Sequence, residues 1–265
     1  MTEFQLATLI AERVRAAGGQ ALFVGGWVRD RLLGRDAKDI DLEVYGIDSV
    51  QLRELLERLA KVNTVGESFT VYKVGTIDVT LPRIESKHGR GHRGFIVTGD
   101  PNLPLVEAAR RRDFTINAIA WDPAREEYLD PFDGRADLES RVLRVVDRTT
   151  FGDDSLRVLR ALQFAARFTL TLDEPTRQIC QATTLDDLPA ERIWGELEKL
   201  LLQADRPSHG FQLALELGVI DQLFPELKAL VGCEQEPEWH PEGDVWLHTL
   251  LVIDQARTRI DDLDQ

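Results

Sequence analysis

The chain has 265 residues, 43% of them hydrophobic, and a formal net charge of −14. That length and apolar content predict a folded, soluble protein of one large domain or two smaller ones with their own cores. No run approaches the roughly 20 apolar residues that span a bilayer. The N-terminal stretch MTEFQLATLIAERVRAAGG carries charges throughout, unlike a signal peptide, so the expected location is cytoplasmic. The two cysteines, Cys180 and Cys233, are too few for a disulfide framework or a cysteine-based zinc site, and free buried thiols are expected. The net charge at first opposes a polyanionic partner, but it is unevenly distributed. From Asp221 to Gln265 eleven acids face three bases, whereas between Arg83 and Arg112 seven bases face three acids. A basic strip survives inside an acidic protein.

In chain order, the N-terminal stretch predicts an amphipathic helix, and ALFVGG (21–26) a short buried strand running into a glycine pair. WVRDRLLG predicts a helical turn closed by Gly34. In KDIDLEVYG the carboxylates Asp39, Asp41 and Glu43 alternate with Ile40, Leu42 and Val44, the period of a half-buried strand with its acids on one face. SVQLRELLERLAKV predicts a helix with Ser49 in the capping position. TVYKVG and TIDVTLPR predict two strands joined at Gly75. The Gly-, Pro- and charge-rich segment 85–104 predicts a long loop, with His88 and His92 in it and no acid placed to make them metal ligands. LVEAARRRDFTINAIAWD resumes a helix-like pattern, and from about Phe151 onward the chain is expected to be wholly helical. Composition therefore shifts from mixed to all-helical near 140–150, which places a domain boundary there.

Glycines at a strand-to-helix turn let a phosphate approach backbone N–H groups, and Gly26 lies thirteen residues before Asp39. Mg²⁺ is held by one or two carboxylates together with substrate phosphates, and Asp39 and Asp41, one strand repeat apart, suit a pair of such ions. Asp78, alternating with Ile77 and Val79 on a neighbouring strand, would complete the acidic set. Glu43 is the outer member of the row, a solvated one on this reading. Each feature has a plainer alternative: a solvated acidic face, a tight glycine turn, a surface pair at Arg29 and Asp30, a solvated RRRD helix turn, and ordinary helix-face charges at Asp154, Arg157 and Arg160.

The order of the features decides between these. LFVGGWVRDRLLGRDAKDIDLEVYG resembles the first motif of the DNA polymerase β-like nucleotidyltransferases, in the form found in class II tRNA nucleotidyltransferases (CCA-adding enzymes) and bacterial poly(A) polymerases. RRRDFTINAIAWD, YLDPFDGRADL, DDSLRVLRALQFAARF and HPEGDVWLHT resemble further motifs of that family in the same order, over residues 22–249. The resemblance implies an α+β fold: a nucleotidyltransferase head (1–145) with a small mixed or antiparallel sheet and flanking helices, an all-α neck (146–205), and the start of a helical body (206–265) that looks truncated. It implies that Asp39 and Asp41 bind catalytic Mg²⁺ and that Gly25, Gly26, Arg29 and Asp30 shape the triphosphate end. Arg111, Arg112, Asp113 and Asn117 would hold phosphates and ribose, and Asp154, Arg157 and Arg160 would serve the nucleotide, with Asp154 and Arg157 reading the base in place of a template. The implied partners are tRNA and CTP or ATP, and no membrane. The implied reaction adds C, A or both to an RNA 3′ end. A poly(A) polymerase and a truncated or non-catalytic RNA-binding relative are the competing expectations. Asp153 replaces the family's usual Glu. His240 and His248 fall where some members begin a metal-dependent phosphohydrolase domain; without its other ligands they are expected to be structural.

Overall fold

The computed structural model describes residues 1–37, 39–65, 71–87 and 95–263. It forms two compact units, Met1–Ser140 with Val145–Asp147, and Arg141–Arg144 with Arg148–Gln265.

The first unit opens with helix α1 (Glu3–Ala16), whose N-terminus is closed by reciprocal Thr2 and Gln5 hydrogen bonds. Strand β1 (Gln20–Val24), helix α2 (Gly26–Leu32) and strand β2 (Asp41–Tyr45) follow. Helix α3 (Ser49–Glu57) is capped by Asp48 and not by the expected Ser49: the Asp48 carboxylate accepts from the Val50 and Gln51 amides, and Gln51 reaches back to the Asp48 amide. Strands β3 (Asn63–Val65), β4 (Val71–Val74) and β5 (Ile77–Thr80) come next, with Gly75 in the left-handed region at φ 65° between the last two.

The segment expected as a loop at 85–104 contains most of a hairpin, β6 (Arg83–Lys87) antiparallel to β7 (Phe95–Gly99). The β-branched run Ile96-Val97-Thr98 favours that strand despite its glycine-rich flank. His88 and His92 lie outside the described residues. The helix-like pattern from Leu105 to Asp122 is helical only in α4 (Leu105–Arg110). A 3₁₀ turn (Thr115–Asn117) and strands β8 (Ala120–Asp122) and β9 (Glu127–Leu129) replace the rest, before helix α5 (Gly134–Glu139). The cause is tertiary: the Asp113 carbonyl accepts from the Val146 amide and Phe114 bridges Val145, drawing the backbone out of a helix.

Seven strands form one sheet in the order β3-β4-β5-β2-β1-β8-β9. Every pairing is antiparallel except β2 with β5, so the sheet is mixed. Phe23, Leu42, Val44, Ile77 and Val79 fill the core from the sheet, and Ile10 and Val14 from α1. Phe4, Phe23, Trp27 and Trp121 cluster with ring centroids 4.5–6.0 Å apart, and the Arg31 guanidinium lies 4.8 Å from the Trp121 centroid. Aromatic pairs of this kind contribute about 0.5–1.5 kcal/mol each beyond area burial, and here they seat α2 on β1 and β8.

The second unit contains β10 (Val142–Leu143), a 3₁₀ turn (Phe151–Asp153) and helices α6 (Leu156–Phe168), α7 (Glu174–Ala182), α8 (Ala190–Gln203), α9 (Pro207–Glu216), α10 (Val219–Leu223), α11 (Pro225–Lys228) and α12 (Val245–Leu263). The all-helical expectation is corrected at one point, β11 (Thr171–Leu172), which pairs in parallel with β10. Asp254 of α12 accepts from the Ser208 amide and hydroxyl at 2.9 and 2.7 Å, tying α12 to α9. Cys180 is buried, which pushes its thiol up to about 12, but Cys233 is exposed, contrary to expectation. His240 and His248 both turn Nδ1 toward the Glu242 carboxylate, at 3.1 and 2.6 Å. Among the described residues no helix is long and apolar enough to cross a membrane.

The turn before α5 supports the segment that carries Asn117. Asp130 accepts from the Gly134 and Arg135 amides, and the Thr115 hydroxyl donates to buried Asp137 at 2.7 Å. A Cβ on Gly134 would stand 2.2 Å from the Thr115 carbonyl oxygen. Gly134→Ala therefore forces apart two backbone segments and is expected to destabilise the fold by about 3 kcal/mol or more, measurable by urea denaturation.

Candidate active site

The glycine turn, the acidic strand and the arginine run converge in the first unit. Gly25 has φ 71°, a conformation that disfavours side chains. A Cβ there would stand 3.2 Å from Arg112 Nη1 and 3.4 Å from Asp41 Oδ2, so the missing side chain leaves room between an arginine and an aspartate. At Gly26 the nearest group to such a Cβ is Arg29 Nη2, at 3.5 Å.

Asp41 pairs with Val24 across β1 and with Asp78 across β5, so the expected adjacency of the two acids is present. Asp78 is turned to Lys73, whose Nζ donates to it at 2.6 Å. Asp39 precedes β2 and is exposed. Burial raises the Asp41 pKa above its ordinary 3.8, and Asp78 and Asp39 add to the rise against the opposing pull of Arg112 and Lys73. Among the described residues Asp41 makes no ion pair within 4.0 Å. A half-buried carboxylate beside two others, lacking a direct cationic partner, is a donor set that suits a hard divalent ion.

Glu43 is the main departure from the sequence reading. It is 2% exposed, not solvated. Its carboxylate accepts from the Tyr45 hydroxyl and from Arg111 Nη2, both at 2.7 Å, and lies 4.0 Å from Arg112 Nη2. Burial alone would raise its pKa, but Arg112, Arg111 and the Tyr45 hydrogen bond outweigh that and hold it below the ordinary value. Arg111 thus faces Glu43, while Arg112 also faces the glycine turn. The alternation that put Glu43 on the acidic face placed Tyr45 there as well, which was the available signal.

Arg29 and Asp30 are not a surface pair. Arg29 is 5% exposed; it donates to Asp30 at 2.8 Å and through Nη1 to Asn117 Oδ1 at 2.7 Å. Asn117 Nδ2 donates in turn to Asp113 Oδ1 at 2.9 Å, which also accepts from the Phe114 amide. Four expected site residues therefore form one hydrogen-bonded chain across the unit.

In the second unit Asp154 is gripped by Arg192, whose Nη1 and Nη2 donate to its two oxygens at 3.0 and 3.1 Å. Arg192, from α8, was absent from the sequence reading; no local pattern links it to a residue 38 positions earlier. Arg157 Nη1 donates to the Thr150 carbonyl, and its guanidinium lies 6.0 Å from the Phe151 ring centre. Arg160 is 3.9 Å from buried Glu196 and over the Phe164 ring.

Asn117→Ala removes a buried hydrogen-bond acceptor of Arg29 and is expected to lower stability by about 1–3 kcal/mol, readable in chemical denaturation. For Asp41 the sign runs the other way. An aspartate with a raised folded pKa destabilises the fold once pH exceeds both its unfolded and folded values, and ceases to do so below them. Asp41→Asn should therefore raise Tm at pH 7 in the presence of EDTA, and the gain should fade as pH falls toward the ordinary 3.8.

Comparison with known proteins agrees with this geometry. Residues 21–144 match the poly A polymerase head domain, and 170–230 match a segment described as the probable RNA and SrmB-binding site of polymerase A. A multifunctional CCA protein of Stenotrophomonas maltophilia is 43% identical over 243 residues, covering 88% of this chain and 58% of that protein. The chain thus spans little more than half the length of the curated relatives it matches. A Bacillus stearothermophilus CCA-adding enzyme in complex with CTP superposes with a TM-score of 0.67 at 31% identity, over 83% of this chain and 53% of that one. A tRNA nucleotidyltransferase complexed with a primer tRNA and an incoming ATP analogue gives a TM-score of 0.66 at 27% identity, over 92% and 74%. With two models matched in order and the motif residues assembled in space, the chain belongs to the nucleotidyltransferase family of CCA-adding enzymes and bacterial poly(A) polymerases.

Proposed function

We propose that the chain carries template-independent transfer of C, A or both from CTP or ATP to the 3′ end of tRNA, with release of pyrophosphate. The observation that carries this reading is the placement of Asp41 and Arg112 on either side of the Gly25 turn. A carboxylate that suits a divalent ion and an arginine that suits a phosphate flank a gap with no side chain. The match of relatives named for CCA addition, and of a structure solved with CTP, supports the substrate class.

In this mechanism Asp39 and Asp41 would hold Mg²⁺, which when bound would supply acidity to the attacking hydroxyl and charge neutralisation to the leaving pyrophosphate. The 3′ oxygen attacks the α-phosphorus, and the bond to the bridging β-phosphate oxygen breaks. Gly25 and Gly26 admit the triphosphate close to the backbone. Arg112 offers its guanidinium to the phosphates; Arg29, held by Asp30 and Asn117, fixes the floor of the turn. Asp113 and Asn117 orient the ribose side, and Arg111 acts on the nucleotide through its neighbour Arg112. Asp78 lends negative charge from β5. Asp154 and Arg157 present an acceptor and a planar donor fork to the base, with Arg192 fixing the plane of the Asp154 carboxylate and Arg160 anchoring the same helix. On this reading residues 1–145 are the catalytic head, 146–205 the neck and 206–265 the start of a body, and the protein works in the cytoplasm.

The test is incorporation of each labelled nucleotide, with Mg²⁺, into tRNA transcripts ending before CCA or after CC, and into an unrelated RNA. Ordered addition of C, A or both on tRNA alone is the expected result, with Asp41→Asn reducing it by about 100-fold or more. Long A tails on every RNA would replace this reading with poly(A) synthesis, and no incorporation on any RNA would overturn it.

A further inference from the structure

Strand β2 carries two carboxylates in different electrostatic positions. Asp41, at the glycine turn, makes no ion pair within 4.0 Å among the described residues. Glu43, two residues on, takes Arg111 at 2.7 Å and Arg112 at 4.0 Å on one oxygen. Its other oxygen accepts from the Tyr45 hydroxyl at 2.7 Å, so the carboxylate is fixed at both ends. Arg112 stands between the two acids: Nη2 is the group nearer Glu43, while Nη1 and Asp41 Oδ2 both lie within 3.4 Å of the point a Gly25 Cβ would occupy. A guanidinium moved onto Asp41 would fill the lone pairs that a divalent ion needs, because Arg donates in a fixed fork that matches a carboxylate.

We propose that Glu43 is a positioning residue that draws the Arg111 and Arg112 guanidinium groups onto itself and so leaves the Asp41 oxygens open to a divalent cation. The inference rests on the metal-dependent reading given above and extends it to a residue outside the metal-binding pair. Tyr45 holds the Glu43 carboxylate in place through the hydroxyl contact. Without the Glu43 charge, Asp41 comes before Asp113 among the neighbouring acids that still attract Arg112.

The experiment is titration of the full chain with Mn²⁺ in the absence of nucleotide, with free Mn²⁺ followed by electron paramagnetic resonance. The wild type is expected to bind and Asp41→Asn to lose that binding. Glu43→Gln should weaken it by roughly fivefold, the upper end of the scale measured for a charge pair at a protein surface. The double variant Glu43→Gln/Arg112→Gln should bind close to the wild-type level, a rescue that a general loss of structure would not give. If Glu43→Gln unfolds, the charge-balanced Glu43→Gln/Arg111→Gln variant carries the same expectation of weaker binding, because Arg112 remains. Wild-type Mn²⁺ affinity in the Glu43 variants, with binding still lost in Asp41→Asn, overturns the role of Glu43 alone. Failure of the double variant to recover overturns its action through Arg112. Unchanged binding in Asp41→Asn instead overturns the metal-site reading itself.

Discussion

Mutual repulsion of carboxylates on the face of β2 is the constraint around which the first unit is arranged. Burial opposes the ionisation of Asp41, and the charges of Asp78 and Asp39 add to that opposition. The fold contains that repulsion with cations from three places: Lys73 on Asp78, Arg111 on Glu43, and Arg112 between Glu43 and the glycine turn. Lys73 and Arg111 are paired with Asp78 and Glu43, while Asp41 makes no ion pair within 4.0 Å among the described residues. The arginines follow α4 directly, and the exit of the chain from helical geometry at Asp113 fixes where they stand.

Much of this was legible in the sequence because it depends on short-range pattern. The period of KDIDLEVYG located β2, Gly75 located a turn, and the ordered motifs identified the acids, the glycines and the arginine run before any contact was known. What escaped depends on contacts between distant segments. Glu43 was placed on the right face but assigned to solvent, since alternation reports which side a residue takes and not what covers that side. Strand β8 was hidden in a helix-like pattern because its identity is set by pairing with β1, and Arg192 by its distance along the chain from Asp154. The hairpin at 83–99 was hidden by glycine and charge around a β-branched run.

The second unit follows a different logic. Its helices bury large apolar faces; α6 alone buries Leu156, Val158, Leu159, Leu162, Phe164 and Phe168. Charged groups at and before this helix are held by α8: Asp154, just before α6 starts, by Arg192, and Arg160 by Glu196. A carboxylate gripped bidentately is presented in one orientation, the rigid arrangement that the base-reading role proposed for Asp154 requires.

The hydrogen bond from Arg29 to Asn117 spans 88 positions of the chain. During synthesis the glycine turn therefore leaves the ribosome well before the partner that fixes it. In that interval Arg29 lacks the Asn117 acceptor that it has in the folded unit. Only when the segment around Asn117 emerges and β8 docks on β1 are Arg29, Asn117 and Asp113 ordered together. The glycine turn thus depends on a segment made much later, and fragments that end before β8 contain its residues without the contacts that hold Arg29.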